Sequence, residues 1–233
     1  MTLPTISAPR YTLTLPSSGK TVSYRPFLVK EEKMLLMAAE SKDSGQITKS
    51  MAHVLNSCID EKLDIDDLPM FDVEYLFLQL RSRSIGESID LSFKCEGCDI
   101  EFKKKIDLSQ IEVKKDDNHE ANIPLQDGIG IIMKYPRYGD VASMEMKDES
   151  MDPMKMVYLC IDKIYDSEKV YEAKNYSESD LEAFIDSLNQ SQMQKIQDFF
   201  TTMPKIECEI DYGCAKCNFE KKLKLNSLSD FFS

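Results

Sequence analysis

Cys95-Glu96-Gly97-Cys98 and Cys214-Ala215-Lys216-Cys217 are two copies of one signal, and their surroundings nearly match. After the first runs Asp99-Ile100-Glu101-Phe102-Lys103-Lys104-Lys105-Ile106, and after the second Asn218-Phe219-Glu220-Lys221-Lys222-Leu223-Lys224-Leu225. Before them, Ile89-Asp90-Leu91-Ser92-Phe93 and Cys208-Glu209-Ile210-Asp211-Tyr212 both alternate apolar and polar residues. Period-two alternation on either side of a short turn reads as strand, knuckle, strand. Four thiolates in two C-x-x-C turns suit tetrahedral zinc, with sulfurs about 2.3 Å from the ion. Gly97 and Gly213 are expected to supply the conformational freedom of these turns.

Spacing is the unusual feature. Well over a hundred residues separate Cys98 from Cys214, against about 15–20 in an ordinary ribbon. Either one ribbon carries a long insertion, or two separate hairpins meet in space. In both cases Cys95, Cys98, Cys214 and Cys217 are the metal ligands, and the zinc is structural, since four sulfurs leave no position open for water. The fold class expected is α+β. An N-terminal hairpin and helical region (1–84) precedes the first knuckle hairpin (85–112). A mainly helical insert with one strand (113–203) follows, and the second knuckle (204–233) completes a discontinuous four-cysteine ribbon.

Other uses of the cysteines fit less well. A redox C-x-x-C is followed by a helix whose N-terminus lowers the thiol pKa, whereas strand patterns follow both pairs here. Residues 1–10 show no basic segment leading into an apolar one, so no secretory signal is expected, and seven cysteines make an odd disulfide framework. Cys58, Cys160 and Cys208 fall in apolar-periodic segments and read as small buried hydrophobes. A net charge of −12 argues against a general nucleic-acid binder, which must neutralise phosphates. Lys103–Lys105 and Lys221–Lys224 read as the solvated faces of edge strands. No apolar run reaches the roughly 18 residues of a membrane span.

Along the chain, Tyr11 to Tyr24 alternates around Pro16-Ser17-Ser18-Gly19 and predicts a hairpin. Gly19-Lys20-Thr21 is not a P-loop, because Thr14 stands where the motif needs glycine. Helices are expected from Leu28 to Ala38, with Glu31 and Glu32 at the positive end of the dipole, and from Ile47 to Ile59. Asp60 to Asp67 reads as a solvated loop. Leu68 to Leu80 is so densely apolar that its helix is buried on several faces or docks on a partner. Further on, Gly128 to Tyr135 predicts a strand. Asp152-Pro153 predicts an N-cap with proline at the first helical position, opening a helix through Met154 to Ile164. Ser177 to Asp180 predicts a capping box, and a last helix ends at Pro204. His53, with no ligand partner at i+4, reads as an incidental helix residue, and His119 is expected to be exposed and without a role. Met144, Met146, Met151, Met154 and Met156 form a candidate binding surface.

No catalytic constellation appears: there are two histidines and no G-x-S-x-G, H-E-x-x-H or G-x-G-x-x-G. Leu15-Pro16-Ser17-Ser18-Gly19-Lys20, Tyr24-Arg25-Pro26-Phe27-Leu28-Val29-Lys30-Glu31-Glu32-Lys33 and Leu35-Leu36-Met37-Ala38-Ala39-Glu40-Ser41 resemble the baseplate hub assembly proteins of T-even-type contractile-tailed bacteriophages. That resemblance implies a non-enzymatic protein that binds other baseplate hub or tape-measure proteins. It would act in the host cytoplasm during assembly and could end in the virion tail baseplate. The Leu68–Leu80 helix and the methionine-rich segment are the contact surfaces expected. A zinc-ribbon nucleic-acid adaptor is the alternative function, and a C-x-x-C thiol oxidoreductase a more remote one.

Overall fold

Two stretches of sequence far apart build one unit, and the stretch between them builds another. The computed structural model describes residues 6–146 and 153–226. The first unit takes the chain up to Lys114 and again from Lys205, and the second takes Lys115–Pro204.

In the first unit, β1 (Tyr11–Thr14) and β2 (Thr21–Tyr24) form the expected hairpin, with Tyr11 opposite Tyr24. The hairpin is fastened to α2 (Ser44–Cys58), which follows α1 (Val29–Ser41): Arg25 N–H donates to Cys58 O, and Asp60 N–H donates to Ser23 O, each at 2.9 Å. Residues Asp60 to Asp67 differ from expectation. Rather than a loop solvated throughout, they bury Ile65, and both Glu61 carboxylate oxygens accept from Ser23 N–H at 3.1 and 2.9 Å. Charge is used here to satisfy a strand donor. Glu31 does more than complement the dipole of α1. It accepts from Leu28 N–H at 2.7 Å, pairs with Arg25 at 3.0 Å and is buried. Burial alone would push its carboxyl up, but the Arg25 guanidinium and the Leu28 N–H outweigh that and hold it below its ordinary value.

α3 (Met70–Ser84) is buried around its circumference, through Phe71, Val73, Leu76, Phe77, Leu78 and Leu80. Even Asp72 is enclosed, accepting from Ser17 N–H at 3.0 Å and from the Ser17 hydroxyl. The dense apolar pattern is therefore satisfied inside the protein, and this helix is not a free contact surface. β3 (Ser88–Lys94) and β4 (Glu101–Asp107) form the first knuckle hairpin, and β5 (Glu112–Lys114) ends the unit's first stretch.

The second unit departs further from its expected helical character. β6 (Asn122–Gln126), β7 (Ile129–Met133), β8 (Ile161–Tyr165) and β9 (Val170–Glu172) make an antiparallel sheet in the order β6-β7-β8-β9. Among the helices, α4 (Tyr138–Met146) and α5 (Pro153–Cys160) precede β8, while α6 (Glu178–Asp186) and α7 (Gln190–Thr202) follow β9. The single helix expected through Ile164 breaks at Cys160. Beyond it, Ile161 and Ile164 pair with Met133 and Ile131 of β7, so tertiary pairing takes a β-branched segment that helical spacing also fits. Pro124 disguised β6: proline argues against a central strand but is tolerated at an edge, where β6 lies next to a register shift.

Ile123, Ile131, Met133, Val157, Ile196 and Phe199 are among the residues of this unit's core. Ser177 caps α6 and accepts from Asp180 N–H, as its motif predicts. Pro153 is the first residue of α5, while its expected cap, Asp152, lies outside the described residues. The methionine surface is not found as expected. Met144 is buried and Met154 and Met156 pack against the core, while Met151 and the Met146 side chain lie outside the described residues.

Lys205 begins β10 (Lys205–Gly213), opposite Lys114 of β5, so the chain returns to the first unit beside the strand from which it left. β10 then pairs with β11 (Glu220–Leu225), from Cys208 opposite Leu225 to Gly213 opposite Glu220, forming the second knuckle hairpin.

Candidate metal centre

The two knuckles have the same backbone. Cys95 N–H donates to Ile100 O at 2.9 Å and Asp99 N–H to Cys95 O at 2.8 Å; Cys214 N–H donates to Phe219 O at 2.8 Å and Asn218 N–H to Cys214 O at 2.9 Å. The left-handed residue in each is not the expected glycine. Asp99 and Asn218, directly after the second cysteines, take φ of +55° and +54°, whereas Gly97 and Gly213 do not enter that region. Aspartate and asparagine tolerate it better than other side chains that carry a Cβ. The repeated Cys-Asp and Cys-Asn steps were the signal that could have located these residues.

Gly97 is required for a different reason. A Cβ there would lie 3.0 Å from Phe219 Cβ and 3.1 Å from Cys217 Sγ, both in the opposite knuckle. Gly213 meets only Glu220 Cγ at 3.9 Å, an ordinary contact. Close approach, not turn geometry, is what Gly97 permits.

That approach brings all four sulfurs together. Cys95 Sγ lies 3.6 Å from Cys217 Sγ and Cys98 Sγ lies 3.7 Å from Cys214 Sγ, and the four sulfurs are all within 4.8 Å of one another. A regular tetrahedron with sulfurs about 2.3 Å from its centre has edges of about 3.8 Å. A disulfide needs about 2.05 Å, and every cysteine is free. The spacing therefore fits a four-coordinate ion. Cys95 and Cys214 are buried, Cys98 is half-buried and Cys217 exposed, so the centre has a closed side and an open one.

Apolar packing holds the knuckles face to face. Phe102 stacks on Tyr212 at 4.8 Å and touches Phe93 at 5.8 Å, and Phe219 and Leu223 complete the cluster around Cys95 and Cys214. The electrostatics favour thiolate at Cys214 alone, since desolvation and the neighbouring cysteine thiols raise Cys98 and push Cys217 up to about 12. The backbone N–H groups of Cys217 and Lys216 point at the Cys214 sulfur and pull its thiol down to about 6. An anionic sulfur with backbone donors already aimed at it is prepared for a cation.

The lysines on these strands sit among acids. Lys221 pairs with Glu96, Lys224 with Glu209 at 3.0 Å, and Lys104 Nζ donates to Asp211 O at 3.1 Å. On β11 the lysines and their acidic partners form interleaved charge rather than a basic stripe.

The remaining cysteines stand apart from this centre. Burial pushes the Cys58 thiol up to about 11 and the Cys160 thiol up to about 12, as expected of inert core residues. Half-buried Cys208 is also raised by desolvation. His53 is exposed. His119 is not. Its ring is half-buried, stacks with Tyr135 at 5.5 Å and lies 4.9 Å from Phe199, with Nδ1 2.9 Å from Thr202 Oγ1. It joins the aromatic packing of the second unit, and desolvation holds its pKa below the ordinary 6.5.

Among the described residues no helix is long and apolar enough to cross a membrane. A family model described as T4 bacteriophage base plate protein matches residues 8–233. No curated protein and no solved structure matches the chain.

Proposed function

The chain belongs to the T4 bacteriophage base plate protein family, and from that premise we propose that it acts without catalysis, by binding other proteins while the central hub of the tail baseplate is built. Its partners are other hub or tape-measure proteins. It meets them in the host cytoplasm as an assembly factor, or enters the virion tail with them as a hub component. The observation that carries this reading is the span of the family match, residues 8–233, which takes in both units and both knuckles.

The four-cysteine cluster has a supporting role. Zinc is the ion that its donor set fits, and with four sulfurs around it the metal has no open position for substrate or water. Its contribution is to lock β3–β4 against β10–β11 and so join the two stretches of the first unit.

Co-expression with the neighbouring open reading frames of its genome, followed by pull-down and mass spectrometry, tests the proposal. The expected result is capture of hub or tape-measure proteins, insensitive to nuclease. Capture of no phage protein would contradict it. Retention of nucleic acid with a steep salt dependence would favour an adaptor role instead.

A further inference from the structure

α1 is placed unlike its neighbours. Its buried residues are Glu31 and Ala38, whereas α2 and α3 bury rows of apolar side chains. Leu28, Val29, Met34, Leu36 and Met37 remain 43, 64, 37, 58 and 71% exposed. Val29, Leu36 and Met37 share one side of the helix, and apolar side chains clustered in this way mark interaction sites more often than scattered single ones.

At about 100° per residue, Val29, Lys33, Leu36, Met37 and Glu40 fall on one side of the helix, opposite Glu31 and Ala38. Lys33 and Glu40 run down the middle of that side, both exposed, and neither has an ion pair among the described residues. An apolar stripe carrying one positive and one negative charge two turns apart is complementary to itself.

We propose that this face docks a second copy of the chain, α1 against α1 in antiparallel orientation. A two-fold axis makes the same patch meet itself. With Lys33 opposite the partner's Glu40, the same axis sets Leu36 opposite the partner's Met37, and both pairs recur by symmetry. The result is two ion pairs about 10 Å apart, from seven residues at about 1.5 Å each, with two Leu–Met contacts between them. A parallel arrangement in register sets Lys33 on Lys33 and Glu40 on Glu40, so charge selects the antiparallel one. One helix face is smaller than the roughly 800 Å² per partner of a standard interface, so the pair is weak and forms as concentration rises.

The test is sedimentation of the full chain over a wide concentration range, with far-UV circular dichroism to confirm that each variant is folded. The native chain is expected to pass from one-chain to two-chain mass. Lys33→Glu and Glu40→Lys each set like charges opposite one another twice, and each variant is expected to remain single. The double exchange, K33E with E40K, restores opposite charges across the axis and is expected to restore association. Leu36→Asp is expected to stay single without lowering the melting temperature, because Leu36 is exposed. A native chain that is single at every concentration overturns the proposal, as does a Lys33→Glu variant that pairs like the native chain. Capture of a hub protein on α1 by a chain that never self-associates overturns it too.

Discussion

Residues 115–204 carry their whole core on one continuous stretch, whereas the unit that holds the four-cysteine cluster is assembled from two stretches separated by that segment. The continuous unit needs only to bury Ile131, Ile196, Phe199 and their neighbours. The discontinuous one must also bring its ends together against chain entropy. A cross-link relieves that cost, by about 4.7 kcal/mol for a loop of about 100 residues in the chain-entropy account. The difference gives the place of the four-cysteine cluster a physical reason: an ion held there would fasten the unit whose sequence is interrupted. The two units should therefore fail under different insults.

The largest effect expected is from Cys214→Ser or from stripping the metal with a chelator. Structural zinc is worth roughly 10–16 kcal/mol of apparent free energy in small fingers, comparable with a whole domain's stability. In calorimetry the transition of the first unit should fall steeply or vanish, while that of residues 115–204 stays in place. Equal loss from both units would dissolve the comparison. Ile196→Ala reverses the roles. Ile196 is fully buried in the second unit, so about 2–5 kcal/mol should go from that unit's transition alone, with metal content unchanged.

Gly97→Ala sharpens the account of the metal centre. The added methyl meets Phe219 and Cys217 at 3.0 and 3.1 Å, and overpacking of this kind costs about 1–3 kcal/mol. The variant should give up its metal more readily to a competing chelator. Gly213→Ala should not, because the nearest atom leaves room.

The smallest effect comes from His119. Its pKa is depressed in the folded protein by desolvation, with Lys115 adding to the depression and Asp116 opposing it. Its contribution is therefore complete above the ordinary 6.5 and is lost as pH falls through the folded value. The melting temperature of the second unit should decline below about pH 6.5, and His119→Phe should flatten that decline. An unchanged slope in the variant would place the sensitivity elsewhere.

How much of this could be read beforehand depended on whether the signal was local. The hairpin at Tyr11–Tyr24, the Ser177 cap and the repeated knuckles are encoded in adjacent residues, and the sequence reading placed them. Three strands of the second unit were missed because their identity comes from pairing. Ile161–Tyr165 fits a helix until β7 claims it, Pro124 conceals an edge strand, and β9 is only three residues long. The burial of α3 was left open for a related reason. The apolar density of α3 is compatible with either a core or a docking face, and only the surrounding elements decide. Conversely α1, whose pattern gave no warning, is the helix that leaves its apolar side exposed. At the four-cysteine cluster the repeated spacing was legible, but the roles of Gly97, Asp99 and Asn218 depend on how the two knuckles meet.

The most direct measurement is metal binding by the full chain and by two single variants, one from each knuckle: Cys95→Ser and Cys214→Ser. The chain should bind one zinc, replaceable by cobalt with the visible spectrum of a tetrahedral four-thiolate site, and either substitution should abolish that spectrum. Two ions per chain, or a four-thiolate signal that survives loss of one knuckle, would show that the knuckles do not share an ion.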